Sequence, residues 1–203
     1  MLAVLMGGGL VLFGIGGATS GGLLDALKGG GSSTSSQVDK NVKSAQKRVR
    51  LHPQDAAAWA ALARTEYQLA GQGENYDQAT GTFTAKGKQQ LRQVATAWNK
   101  YMALNPKHPD PNLAAQMVQA FGPAGLARYS DATAAQEIVT SSQPASAALY
   151  ARLAVFAYAA GQTRTGDLAS QKAVSLAPKA QKKTLQQELA AAKASPQQAL
   201  GTG

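Results

Sequence analysis

Residues 144–178 read PASAALYARLAVFAYAAGQTRTGDLASQKAVSLAP, and the spacing inside this stretch decides the fold. It opens and closes on proline, Pro144 to Pro178 being 34 positions, and Gly161 splits it into two apolar-periodic runs. Each run has the length and spacing of an amphipathic helix, and a proline just past such a run stops it. The stretch therefore predicts one helix, a turn and a second helix. Working towards the N-terminus, Pro106 lies 38 residues before Pro144, and Pro53 lies 53 before Pro106. These intervals exceed 34 by 4 and by 19, and the larger excess falls at 71–87 (GQGENYDQATGTFTAKG), a composition that tolerates an insertion. Three units are predicted, with Thr84 placed to cap the helix after the insertion.

The residues within the units sharpen this. In the last unit Tyr150, Leu153, Ala154, Ala157, Gly161, Ala173 and Pro178 form a series of large, Leu, small, small, Gly, small and Pro, with Gly166 where a small residue is expected in the middle. In the first unit Trp59, Leu62 and Ala63 open one helix, and Trp98, Leu104 and Pro106 close the next, with Tyr101 in a small-residue place. Tyr150 follows Trp59 by 91 residues, two periods plus both excesses. In the middle unit Leu113, Met117 and Ala120 share one face, while 121–129 carries no clear signature. Taken together, this set resembles the tetratricopeptide repeat family over residues 38–194. The resemblance implies an all-α fold of antiparallel helix-turn-helix repeats stacked as a short right-handed α-solenoid. Residues 38–51 then read as the second helix of an incomplete unit. The polar stretch 179–194 (KAQKKTLQQELAAAKA) reads as an end cap, and 195–203 as a disordered tail.

Composition agrees with a helical chain. Of 203 residues 44% are hydrophobic but only 6% aromatic, and Ala, Leu and Gln favour helix over strand. The absence of cysteine excludes disulfides, thiolate metal sites and cysteine nucleophiles. A formal charge of +9 favours anionic partner surfaces.

Ahead of the repeats, residues 2–18 (LAVLMGGGLVLFGIGGA) carry no charge and match the shortest helix that spans a bilayer. They predict a single-pass membrane anchor within 1–27. A cleaved signal peptide ending near Ala18-Thr19-Ser20 is the other reading. Lys28 and Lys40 after the segment favour a cytoplasmic domain by the positive-inside rule. The resemblance to bacterial anchored repeat proteins instead implies an extracytoplasmic one. Residues 28–37, containing GGGSSTSS, read as a flexible linker.

Stacked helix pairs leave a groove lined by the first helix of each unit, and the resemblance places Ala57, Ala60, Arg64 and Tyr67 there, with Ala148, Ala151, Val155 and Tyr158 in the last unit. Tyr67 and Tyr158 occupy equivalent places, either as aromatic anchors for a partner or as packing between helices. Arg152 alone resembles a member of the clamp that grips acidic peptide tails in one branch of the family. Lys40, Lys43, Lys47, Arg48 and Arg50 form a basic surface on the first helix, suited to anionic lipid or an acidic partner. Aromatics interleaved for base stacking are missing there, which argues against nucleic acid. His52 and His108 lie beside prolines with no ligand-spaced companion, so no catalytic residue, metal or cofactor is expected. The expectation is a membrane-tethered scaffold or assembly factor that binds a protein partner and is not an enzyme. The alternatives are a regulatory module acting through the basic helix 38–51, and an accessory domain whose partner supplies catalysis.

Overall fold

A computed structural model describes residues 33–201 of the chain. The prolines Pro53, Pro106, Pro144 and Pro178 all fall between helices. Helix α1 spans Ser33–Leu51, α2 Ala56–Ala70, α3 Ala85–Ala103, α4 Pro111–Phe121, α5 Tyr129–Ser142, α6 Ala147–Ala159, α7 Thr163–Leu176, α8 Lys182–Ala194 and α9 Pro196–Ala199. The described chain is thus mostly helical, an all-α fold with one minor hairpin. Side chains fix the starts of four helices by accepting hydrogen bonds from otherwise unpaired backbone N–H groups. Asp55 accepts from Ala57 N at 2.9 Å, Thr84 from Gly87 N at 3.2 Å, Asp110 from Asn112 N at 2.8 Å and Ser146 from Leu149 N at 3.3 Å.

Helices that follow one another in sequence pack together: α1 on α2, α2 on α3, α4 on α5, α5 on α6 and α6 on α7. One stripe of α1, formed by Val38, Val42, Ala45 and Val49, is buried, as its 3–4 residue spacing demands. On α4, Leu113, Met117 and Ala120 are fully buried, so the face read from the sequence is the one that packs. The core divides at α6. Phe156 joins the larger cluster built from α1 to α5, whereas Ala151, Leu153, Ala154 and Tyr158 join a second one with Ala169, Ala173, Leu189 and Ala192.

The segment at 71–87 is an ordered part of this structure. Residues Gly73–Asn75 make a 3-10 turn, and β1 (Tyr76–Asp77) pairs antiparallel with β2 (Thr82–Phe83), Tyr76 opposite Phe83. Four bonds hold it down. Asn75 Nδ2 donates to Leu69 O at 2.9 Å, Thr84 N to Asn75 O at 3.0 Å, Thr84 Oγ1 to Glu74 O at 2.7 Å, and Phe83 N to Ala124 O at 3.2 Å. Between α4 and α5, where no signature was legible, a tight turn keeps Phe121 fully buried with the Arg128 guanidinium 5.3 Å above its ring.

Two boundaries differ from the sequence reading. Helix α1 begins at Ser33, inside the segment 28–37 read as linker, because extending an existing helix by a turn gains one hydrogen bond per residue fixed. The tail 195–203, read as disordered, contains α9, which packs on α6 and α8, and Leu200 rests against the larger core cluster. Pro196 in its first turn is the residue type preorganised to start a helix. Residues 2–18, read as the membrane span, and the rest of 1–27 lie outside the described residues. Among the described residues no helix is long and apolar enough to cross a membrane.

Candidate functional site

The first helices of the three predicted units, α2, α4 and α6, carry the residues expected to line a groove. On α2, Ala57 is exposed, Ala60 buried, and Arg64 and Tyr67 half-buried. Arg64 Nη2 lies 2.5 Å from Asp110 Oδ2, so this guanidinium ties α2 to the cap of α4. Two turns of chemistry therefore meet at Asp110: one carboxylate oxygen caps its own helix and the other neutralises a neighbour.

Tyr67 meets the insertion. Its ring centroid lies 6.3 Å from that of Phe83, and Tyr76 stands edge-on to Phe83 at 5.1 Å. Phe83 is buried, Tyr67 and Tyr76 are half-buried, and Gln119 of α4 and Ala124 of the following turn complete the lining with them. These groups line a half-open cavity of about 230 Å³. Burial, with a smaller contribution from the neighbouring Tyr76, pushes the Tyr67 hydroxyl above its usual pKa, so it is a neutral donor at physiological pH.

On α6 the equivalent tyrosine behaves differently. Tyr158 is 8% exposed, packs onto α7, and donates from its hydroxyl to Asp167 Oδ1 at 3.0 Å. Burial first, and then that bond, raise its pKa. Of the two tyrosines, read either as groove anchors or as packing between helices, Tyr158 packs between helices and Tyr67 borders the cavity at the insertion. Ala148 is exposed, Ala151 buried, and Val155 half-buried. Arg152 lies with its guanidinium 5.7 Å from the Phe156 ring centroid and, among the described residues, forms no ion pair. Burial lowers its pKa, the mark of a cation removed from water without a carboxylate beside it.

The basic residues of α1 differ in their surroundings. Lys40, Lys43, Lys47 and Arg50 are exposed. Arg48 is the exception: it pairs with Asp55 at 2.9 Å and joins the end of α1 to the cap of α2. That bond comes first among the causes that hold the Asp55 carboxyl below its usual range.

Glu66 was not singled out in the sequence. It is 4% exposed on α2 and accepts hydrogen bonds from Gln46 of α1, at 3.0 Å, and from Gln90 of α3. Nothing local marks it, since its partners are 20 and 24 residues away. Phe83 and Tyr76 were also missed; their only sequence signal is an aromatic pair flanking a Gly-containing turn. Among the described residues no three His, Cys, Asp or Glu side chains gather as they would around a metal ion. Compared with known proteins, the chain matches no family model, no curated protein and no solved structure.

Proposed function

We propose that the chain is a tetratricopeptide-like scaffold or assembly factor that binds a peptide or partner helix along the side formed by α2, α4 and α6. In this reading α2/α3, α4/α5 and α6/α7 are the repeat pairs of a short right-handed solenoid, α1 completes a partial pair, and α8 caps the stack. Residues 2–18 hold it in a membrane as a single span, with the repeats on the extracytoplasmic side. It carries out no reaction of its own.

The observation that carries the binding reading is Arg152. A half-buried guanidinium with no carboxylate nearby is costly, and a partner carboxylate would compensate it through charge-assisted hydrogen bonds. Its neighbour Val155, one turn along and half-buried, offers apolar contact beside the charge. The test places a photo-crosslinking amino acid at Val155 of the full-length chain, with Lys172 of α7 as a control position. A discrete adduct from Val155, absent from Lys172 and lost with Arg152→Ala, is the expected result. Equal labelling from both positions would refute a groove partner.

The alternative has its own observation. Lys40, Lys43, Lys47 and Arg50 are exposed and, among the described residues, unpaired. Near an anionic membrane each such charge contributes about 1 kcal/mol. Changing all four to Gln abolishes sedimentation with phosphatidylserine vesicles if this helix is the binding element, and leaves the Val155 adduct intact.

A further inference from the structure

The cavity beneath the insertion has chemistry that a plain packing gap lacks. Three aromatic rings line it, yet they do not fill it: Phe83 is gripped edge-on by Tyr76 and tilted against Tyr67, which leaves about 230 Å³ open. A sealed cavity of about 150 Å³ admits a benzene ring, and this half-open one has room for a ring with its edge towards solvent. The Tyr67 and Tyr76 hydroxyls make no hydrogen bond to another described residue, and both reach solvent. Gly81, at φ +67° in the hairpin turn, lies beside the Tyr76 hydroxyl, which would be 3.8 Å from an added methyl. Gln119, exposed on α4, adds an amide at the rim. The walls are also tied together, since Phe83 N donates to Ala124 O across the cavity's edge.

Open aromatic walls, two hydroxyls that can exchange water for a ligand, and room for one ring suit a ligand that is flat and apolar with a single hydrogen-bonding group. We propose that this cavity binds a phenol-sized aromatic group, either the side chain of a tyrosine in a partner segment or a free small phenol. In its peptide form the site deepens the groove reading and rests on it, with Tyr67 belonging to both; the cavity itself does not depend on that reading.

The test uses the full-length ¹⁵N-labelled chain in lipid nanodiscs, titrated separately with 4-methylphenol and with the capped tripeptide acetyl-Ala-Tyr-Ala-amide. Saturable shifts confined to the amides of Gly81, Gln119 and Ala124 are expected. Toluene and the Phe tripeptide should bind about fivefold more weakly, the worth of one hydrogen bond. The isosteric pair Tyr67→Phe with Tyr76→Phe removes that preference without changing the cavity's shape, and Ala124→Leu fills the cavity and removes the shifts. Tripeptide binding tenfold or more tighter than 4-methylphenol assigns the site to a partner tyrosine, and equal affinity assigns it to a free phenol. No saturable shift up to the solubility limit, or shifts that persist in Ala124→Leu, would overturn the site. Failure of the parent chain to form a discrete Val155 adduct, with the shifts retained, would remove the groove reading and leave the cavity standing.

Discussion

A methyl group on Gly166 would lie 2.4 Å from Cε1 of Tyr158. Helix α7 can cross α6 at that point because it presents a bare backbone to a buried ring. The same ring's hydroxyl donates to Asp167, and Asp167 pairs with Lys193 of α8 at 2.7 Å, so one glycine lets three helices be linked by a single side-chain chain. Those bonds hold the Asp167 carboxyl below its usual range, Lys193 contributing most.

Gly166→Ala sets two effects against each other. Alanine in a helix interior gains about 1 kcal/mol over glycine. Forcing a methyl into a packed interface costs about 1–3 kcal/mol, and this ring is held at its hydroxyl and cannot swing aside freely. The variant is therefore destabilised by about 1–2 kcal/mol, read by urea unfolding. In Gly166→Ala with Tyr158→Ala the overpacking vanishes, so the double variant is more stable than the sum of the singles. Additive effects would mean the two residues do not touch in solution.

Glu66 gives a pH dependence with a definite sign. Its burial raises the carboxyl pKa above the ordinary 4.5, against the two glutamine bonds that lower it. Between those two values the native state holds a proton that the unfolded chain has released, so this residue's contribution to stability falls as pH rises through the window. Glu66→Gln keeps hydrogen-bonding capacity for Gln46 and Gln90 and removes the buried charge. It is expected to melt higher than the parent at pH 7, with the advantage disappearing as pH falls to about 4.5 and both side chains become neutral. Glu66→Ala removes the acceptor from half-buried Gln90 and exposed Gln46 and is less stable at every pH, by about 1–2 kcal/mol. A parent that outlasts Glu66→Gln at neutral pH would show that the charge is compensated.

The four proline stops and the Thr84 cap were legible because they are written in local chemistry, whereas the caps Asp55 and Ser146 were not singled out. Proline stops and polar caps need no knowledge of the rest of the fold: Trp59 stands four residues after the cap Asp55, and Tyr150 four after the cap Ser146. Thr84 caps α3 for the same reason. The divergence of Tyr67 and Tyr158 was illegible because position in a unit does not fix what a ring meets. One meets Phe83, delivered by a hairpin that interrupts the unit; the other meets Gly166, which makes room for it. Glu66 was hidden likewise, since an isolated acid in an Ala-rich helix looks like any solvated residue until Gln46 and Gln90 arrive from other helices.

Removal of residues 196–203 tests whether the tail belongs to the folded unit. Leu200 is half-buried against the larger cluster, and α9 packs on α6 and α8. Covering part of one leucine is worth about 1 kcal/mol. The truncated chain should melt a few degrees lower, roughly 2–4 °C for a domain of this size. Leu200→Ser in the full chain should reproduce most of that loss, and an unchanged melting temperature in both would leave the tail without a structural role.

The attachment of the insertion to α3 depends on a second close approach. A methyl on Gly87 would fall 1.9 Å from the backbone oxygen of Asn75, and a carbonyl cannot rotate away as a side chain can. That oxygen also accepts from Thr84 N at 3.0 Å, so displacing it disturbs the residue that caps α3. Gly87→Ala must therefore push the 3-10 turn off the helix, at a cost of about 3 kcal/mol that the gain in helix propensity does not recover. Gly71→Ala, whose added methyl would meet nothing closer than 3.7 Å, should stay within about 0.5 kcal/mol of the parent. Hydrogen exchange separates local from global effects: in Gly87→Ala the Phe83 amide, bonded to Ala124 O, should lose protection while Leu91 and Val94 in the core of α3 keep theirs. If Phe83 stays protected in that variant, the hairpin is held by its aromatic contacts alone and Gly87 does not position it.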